Sequence, residues 1–407
     1  MRPAFFYRLL PYLACLAACS AVNILYFPPG LSFPDEQRFW GSAVHLAATG
    51  AFRVGPDLAF EMPGPAAFFA LIIRFAGADH AIYAIRAAQS LLLLLQCGLM
   101  GSIAKRVWRN DAATFAATSI AAVYPFFLFF QGLLLSETLF DTALLAALAA
   151  MFAWRDRGAR IDAWLVAACA LFATATYMKA SLTIMPPLLI GCTALLCGAS
   201  WRRSAGVTIL ALTLYCGFMA PWWIRNAVEL NAFVPFTTSS GQNLYLGNNP
   251  RNPDGGIDWA TNVDQAEAAR LFAIPNEVAR NKAFTAEAVT YIKAQPAAFL
   301  IGALKKFVRL WNSVPNAVQY QGVYAFVSLA TFVPVLILAL CALIRWWRNW
   351  PATVPLLFAI GYFTLLYVVT IASVRYRLPI EPLLIVLAAQ PLSAVLLAVL
   401  GRRARSI

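Results

Sequence analysis

The sequence is short of charge. Asp, Glu, Lys and Arg make up only 12% of its 407 residues, against roughly 25% in an ordinary soluble domain. A chain that is 61% hydrophobic, with a mean hydropathy of +0.69, has too little polar surface for a water-soluble globule and reads as an integral membrane protein. Histidine is almost missing: His45 and His80 are the only two, and neither has a partner at metal-ligand spacing. The eight cysteines all lie in apolar runs without CxxC or zinc-type spacing, so they read as small buried residues. There is no P-loop and no dinucleotide fingerprint, which excludes a nucleotide cofactor of those types. The net charge of +13 is scattered between apolar runs rather than gathered into a patch, which argues against a nucleic-acid partner.

What is present is a series of apolar runs. With about 20 residues needed per crossing, about ten spans are expected, near 9–27, 87–104, 112–130, 138–154, 162–178, 183–199, 205–222, 322–344, 351–371 and 378–400. Arg2 and Arg8 ahead of an apolar run, with Leu16-Ala17-Ala18-Cys19 inside it, resemble a signal sequence and a lipoprotein cleavage box. The run from Leu9 to Phe27 is long enough to cross, so a retained first span is expected. Placing the N-terminus inside puts basic residues in every inner segment: Arg2 and Arg8; Lys105, Arg106 and Arg109; Arg155, Arg157 and Arg160; Arg202 and Arg203; Arg345 and Arg348; Arg402, Arg403 and Arg405. Both termini are then cytoplasmic.

Two outer segments are long. In the first, residues 28–86, helices are predicted from Pro34 to Thr49, closed by Gly50, and from Pro65 to Phe75, closed by Gly77. Phe39, Trp40, Phe68 and Phe69 suit helices lying in the membrane interface. The second, residues 225–321, opens with the turn-rich run Gly241 to Gly256 and continues as helix from about Asn276 to the basic-aromatic run Leu304 to Trp311. No repeat and no separate soluble domain is evident, so residues 1–407 form one transmembrane unit.

Against this background the few ionic side chains stand out. Asp35 and Glu36 follow Pro34 in a helix's first turn, where a carboxylate complements the dipole by about 0.3–1 kcal/mol; Glu61 precedes the next helix in the same way. Glu137 has no such local account. It lies at the outer mouth of an apolar hairpin with Asp141 one turn deeper on the same face, in a setting where an acid costs up to about 2.5–3.5 kcal/mol at the bilayer centre. Lys179, Arg225, Lys305, Lys306, Arg309, Arg375 and Arg377 fall at outer edges, the side where positive charge is disfavoured. For Lys305, Lys306 and Arg309 a snorkelling anchor explains as much as a function does. Trp222, Trp223, Trp346 and Trp347 read as interfacial belt. Carboxylates that can bind a divalent ion or take a proton thus share one face with cations that can hold a phosphate.

These residues resemble the GT-C glycosyltransferases of the lipid A aminoarabinose transferase and protein O-mannosyltransferase type. The likeness rests on Pro34-Asp35-Glu36, Glu61-Met62-Pro63-Gly64, Ser136-Glu137-Thr138-Leu139-Phe140, Pro221 to Asn226, Gly241 to Pro250 and Arg375-Tyr376-Arg377-Leu378-Pro379, in that order along most of the chain. The resemblance implies an all-α GT-C-like bundle and an inverting transfer of a hexose or pentose from a polyprenyl-phosphate sugar. The acceptor would be a lipid or cell-envelope glycan, met at the periplasmic face of a bacterial inner membrane. By the same resemblance Asp35 acts as general base and Glu61 orients the acceptor or the base. A divalent ion (Mg, Mn or Zn) would sit near Glu137 and Glu36. Lys179, Arg375 and Arg377 would hold the donor phosphate, with Arg225, Asn248 and Tyr376 as further substrate contacts. The sequence ends soon after the last span, where larger members carry additional spans or a soluble domain. Two alternatives remain: a flippase of lipid-linked sugars, disfavoured by charges gathered at one face rather than at the midplane, and a metal-independent polysaccharide ligase or polymerase.

Overall fold

Proline and glycine set the ends of the helices that carry the acidic motifs. A computed structural model describes residues 3–314 and 322–403; Arg2, Arg405 and residues 315–321 of the second long loop lie outside them. Helix α1 (Pro3–Leu25) leads into a short loop, and α2 (Pro34–Thr49) starts on Pro34 in the first turn and stops at Gly50, whose φ of 75° closes the helix by a hydrogen bond to the Leu46 carbonyl. Helix α3 (Gly64–Ala76) follows and ends at Gly77. Gly64 is required by packing: a Cβ there would lie 2.5 Å from the Tyr177 carbonyl oxygen, so only glycine lets the Glu61-Met-Pro-Gly turn rest on the chain just before Lys179.

The bundle continues with α4 (Ala78–Trp108), α5 (Asp111–Ala122), α6 (Pro125–Phe130), α7 (Glu137–Asp156), α8 (Ala163–Met178), α9 (Met185–Leu196) and α10 (Trp201–Leu230). The second long loop holds α11 (Ser240–Gly247), α12 (Gln265–Phe272), α13 (Glu277–Ala294) and α14 (Pro296–Trp311), and the chain closes with α15 (Val323–Arg345), α16 (Trp350–Val369) and α17 (Glu381–Arg403). Among the described residues seven helices are long and apolar enough to cross a membrane: α1, α4, α7, α10, α15, α16 with the turn before it, and α17. This is a multi-pass, all-helical membrane protein. The other three expected spans are shorter. Residues 112–130 break into α5 and α6 at Pro125, while α8 and α9 have 16 and 12 residues. The run from Gly241, expected as turn, forms helix α11.

Helix α7 is the central post, buried along nearly its whole length against α4 and α8. It separates two chemically different ends. At its Asp156 end the basic turns collect, with Arg106 Nη1 2.8 Å from Asp156 and Lys105 Nζ 2.6 Å from Asp111. Its Glu137 end meets α2, the end of α8 and the 3₁₀ turn Val374–Arg377.

Two expected anchors or ligands are instead buried fasteners. Lys306 on α14 is fully enclosed, and its ammonium donates to the carbonyls of Gly247, Val369 and Thr370 and to Asn248 Oδ1 at 2.9–3.3 Å. It thereby caps the C-terminal ends of α11 and α16 together. Arg377, expected on a donor phosphate, is completely buried. Its Nε donates to Glu381 at 2.6 Å, its Nη1 donates to the Leu310 and Asn312 carbonyls, and its guanidinium lies 3.4 Å over the Phe332 ring. Removing one member of such a pair strands a buried charge at about 3–5 kcal/mol, whereas apolar replacement of both is close to neutral. Glu381→Leu alone should therefore lower the thermal unfolding midpoint in detergent more than the Arg377→Met/Glu381→Leu double variant does.

Candidate active site

The site is built from five chain segments. Asp35 and Arg38 lie one turn apart on α2. Glu61 comes from the turn before α3, Glu137 starts α7, Lys179 follows α8, and Arg375 stands in the 3₁₀ turn before α17. Together they form one continuous chain of alternating charge. Lys179 Nζ lies 3.2 Å from Glu137 Oε1, and Arg375 Nε donates to the same oxygen at 2.7 Å. The other edge of the Arg375 guanidinium donates from Nη1 to Asp35 Oδ2 at 2.6 Å. Asp35 Oδ1 is 3.4 Å from Arg38 Nη1, and Arg38 Nε donates to Glu61 Oε1 at 2.5 Å. Three cations answer three carboxylates, so the cluster carries no net charge.

Each local environment has a physical cause. Glu137 opens α7, so helix geometry aims it at the loops, and its side chain is only 2% exposed. Burial acts against the charge on Arg375, but Glu137 and then Asp35 outweigh it and hold the guanidinium's pKa above its ordinary value. Burial pushes the Glu61 carboxyl up, against the opposing pull of Arg38. Tyr376 stacks on Tyr367 with ring centres 4.9 Å apart, and Lys179 Nζ sits 5.4 Å from its ring centre.

All six charged residues and Tyr376 line one cavity of about 1700 Å³. It has two dissimilar arms. One runs between α1, α6 and α15 and is walled by Val22, Tyr26, Phe126, Phe129, Val323 and Val327. The other is lined by the second long loop, where Ser239, Ser240, Gln242, Asn243 and Asn281 stand beside apolar walls such as Phe236 and Ile257.

No protein family model and no curated protein matches the chain. Solved structures do. The archaeal oligosaccharyltransferase AglB from Archaeoglobus fulgidus, in complex with an inhibitory peptide and a dolichol-phosphate, superposes with a TM-score of 0.63 over 100% of this chain and 52% of that one, at 12% identity. ArnT from Cupriavidus metallidurans bound to undecaprenyl phosphate gives 0.54 over 95% of this chain and 59% of that one, at 16% identity. The fold is GT-C. The chain spans about half the length of these GT-C structures, 52% and 59% of them.

Within the GT-C bundle the candidate residues separate into two groups. Asp35, Glu61, Glu137, Lys179, Arg375 and Tyr376 come together in the cavity. Glu36, Arg225, Asn248 and Arg377 do not line it. Glu36, expected near a metal, is fully buried and accepts hydrogen bonds from the backbone N–H groups of Ser32, Phe33 and Leu134 at 2.7–2.8 Å. It pins the start of α2 to the turn before α7. Arg225 donates to the Leu58 and Phe52 carbonyls and so holds residues 52–58 against α10. Asn248 donates to the Leu244 and Val369 carbonyls and accepts from Lys306. Arg38 was not anticipated; its spacing of three from Asp35 on one helix was the available signal.

Because Glu36 satisfies three backbone donors, each worth about 1–3 kcal/mol if left unpaired in the interior, Glu36→Ala should destabilise the fold by about 3 kcal/mol or more. The check is thermal unfolding in detergent, with Glu36→Gln losing less because it keeps one acceptor oxygen.

A resident divalent ion would need several oxygen ligands converging on one point. Among the described residues no group of three His, Cys, Asp or Glu is placed to hold one. Asp35 Oδ2 and Glu137 Oε1 both already receive Arg375. The donor set as arranged suits a guanidinium, and the residues do not fit a metal.

Proposed function

We propose that the chain is a glycosyltransferase that moves a sugar from a polyprenyl-phosphate donor to an acceptor hydroxyl with inversion. The reading places the site at the periplasmic face of a bacterial inner membrane, with both termini cytoplasmic. The observation that carries it is the position of the Lys179–Glu137–Arg375–Asp35–Arg38–Glu61 chain between an apolar arm opening among α1, α6 and α15 and an arm lined by the second long loop. A lipid-linked sugar needs both surfaces at once: an apolar path for the prenyl chain and cations for the phosphate. The GT-C neighbours, bound to dolichol-phosphate and to undecaprenyl phosphate, support a donor of this class. The basic turns at the opposite end of α7 support the orientation, since such turns favour the cytoplasmic side.

In this reading Lys179 and Arg375 take the donor phosphate and Asp35 takes the proton of the attacking hydroxyl. Glu137 positions Arg375 through its Nε, and Glu61 positions Asp35 through Arg38. Polyprenyl phosphate is a good leaving group, so neutralising its charge matters more than protonating it. Asp35 Oδ2 is occupied by Arg375 until the phosphate competes for that guanidinium. Donor binding thus frees the base, and a donor-first order follows.

The test is transfer from synthetic polyprenyl-phosphate sugars by the purified protein. Because Arg375 and Lys179 supply the positive charge, the rate should be the same, within twofold, in EDTA as in Mg²⁺ or Mn²⁺. Loss of transfer on chelation, restored by added metal, would overturn the metal-free centre. Absence of transfer from any such donor would overturn the transferase.

A further inference from the structure

The arm lined by the second long loop contains hydrogen-bonding groups with nothing to bond. Gln242 on α11 is more than nine-tenths buried yet forms no side-chain hydrogen bond among the described residues, and Asn243 beside it forms none either. A planar amide offers donors and an acceptor side by side, which matches neighbouring hydroxyls on a sugar ring. Between α11 and α12, Trp259 lines the same arm, half-buried, with its indole braced by Phe272 and Phe284 at ring-centre distances of 5.2 and 6.0 Å. Its loop is fixed by Asp258, which accepts from the Ala260 N–H and the Thr261 hydroxyl. A rigid aromatic surface beside free amides suits a ring with one apolar C–H face and a polar rim.

The charges in this arm are unequally answered. Asp254 is paired with Lys305 at 2.7 Å, and both oxygens of Asp258 are engaged locally. Lys282 on α13 and Arg309 on α14 line the cavity without an ion pair or side-chain hydrogen bond among the described residues. Lys282, which meets no acid among the described residues, and Arg309, which feels Asp254 only from beyond ion-pair distance while that acid is bound to Lys305, leave a place for an anion.

We propose that this arm is an acceptor subsite for an acidic saccharide, one carrying a carboxylate or phosphate, with Gln242 and Asn243 on its hydroxyls, Trp259 under the ring and Lys282 and Arg309 on the acid group. The proposal deepens the transferase reading and rests on it.

The full chain in nanodiscs, loaded with undecaprenyl phosphate, is titrated with a uronic-acid oligosaccharide, a phosphorylated oligosaccharide, a neutral malto-oligosaccharide and a serine-containing peptide. One of the two acidic saccharides should bind at least about tenfold tighter than the neutral one, and which one identifies the acid group. Gln242→Ala, and separately the exposed Asn243→Ala in case the first misfolds, should weaken acidic saccharide about tenfold. Lys282→Ala/Arg309→Ala should abolish the preference for acidic over neutral. Equal binding of neutral and acidic saccharides, binding of the peptide alone, or no saccharide binding overturns the proposal. Undecaprenyl phosphate affinity is measured separately on the wild type: its absence sinks the donor reading, whatever the saccharides do.

Discussion

Asp35→Asn is expected to slow sugar transfer by about 10²–10⁴-fold, the usual contribution of a positioned general base. The substitution keeps the shape of the side chain and its place in the first turn of α2, where Pro34 and Glu36 set the backbone. It removes the only group in the cluster that both touches Arg375 and is sufficiently open to the cavity to meet an acceptor hydroxyl: the Asp35 side chain is 30% exposed, against 2% for Glu137. Affinity for undecaprenyl phosphate should hold or rise, because Lys179 and Arg375 remain and Arg375 is no longer shared with a carboxylate at position 35. The measurement is a single-turnover rate beside a lipid-binding isotherm. Retention of wild-type rate would remove Asp35 from the base role and leave Glu61, whose carboxyl burial pushes up, as the next candidate. A rate that falls only in parallel with lipid affinity would instead make Asp35 a positioning residue.

Asp35 and Glu36 show how far a sequence can be read. Their location was legible because the signals are local: Pro34 starts the helix, Gly50 ends it, and both ends lie where those residues predict. Their different fates were not, though helix geometry contains the reason. Successive residues point about 100° apart, so one of two adjacent carboxylates turns into the cavity and the other into the packing, where Glu36 meets the local N–H groups of Ser32 and Phe33 and the distant one of Leu134. Arg375 and Arg377 repeat the lesson. Two residues apart in a 3₁₀ turn, they face away from each other; one reaches Asp35, while the other is sealed against Phe332 and Glu381. Arg38 escaped notice because a cation on the polar face of a helix resembles any solvated charge until a partner comes back to it. The contact that gives the cluster its meaning, Arg375 to Asp35, joins residues 340 positions apart. No local pattern encodes such a distance. Helices α8 and α9 lie within the runs expected at 162–178 and 183–199 but hold only 16 and 12 residues, since hydropathy does not mark where a helix ends.

Arg375→Ala should be as costly as the loss of the base and should fail differently. The guanidinium works because it is planar and two-edged, with Nε on Glu137 and Nη1 on Asp35. Transfer changes the charges on both sides of it. In the proposed transfer Asp35 gains a proton and loses its negative charge, while the donor phosphodiester becomes a phosphate monoester and gains one. A cation already shared between these positions follows the charge without leaving the site, and that stabilisation exists only as the bond breaks. Removing it should lower the single-turnover rate by about 10²–10³-fold, as for an oxyanion donor, and weaken lipid-phosphate binding less. Arg375→Lys should recover part of the binding but little of the rate, since one ammonium reaches one carboxylate at a time. Glu137→Gln tests the arrangement from behind. Its Oε1 fixes Arg375, and its other partners are Lys179 at 3.2 Å and the Ser136 hydroxyl at 3.5 Å, so its effect on rate should largely disappear in the Arg375→Ala background. Additive losses would mean that Glu137 acts on the substrate directly, and the two-edged role of Arg375 would then be wrong.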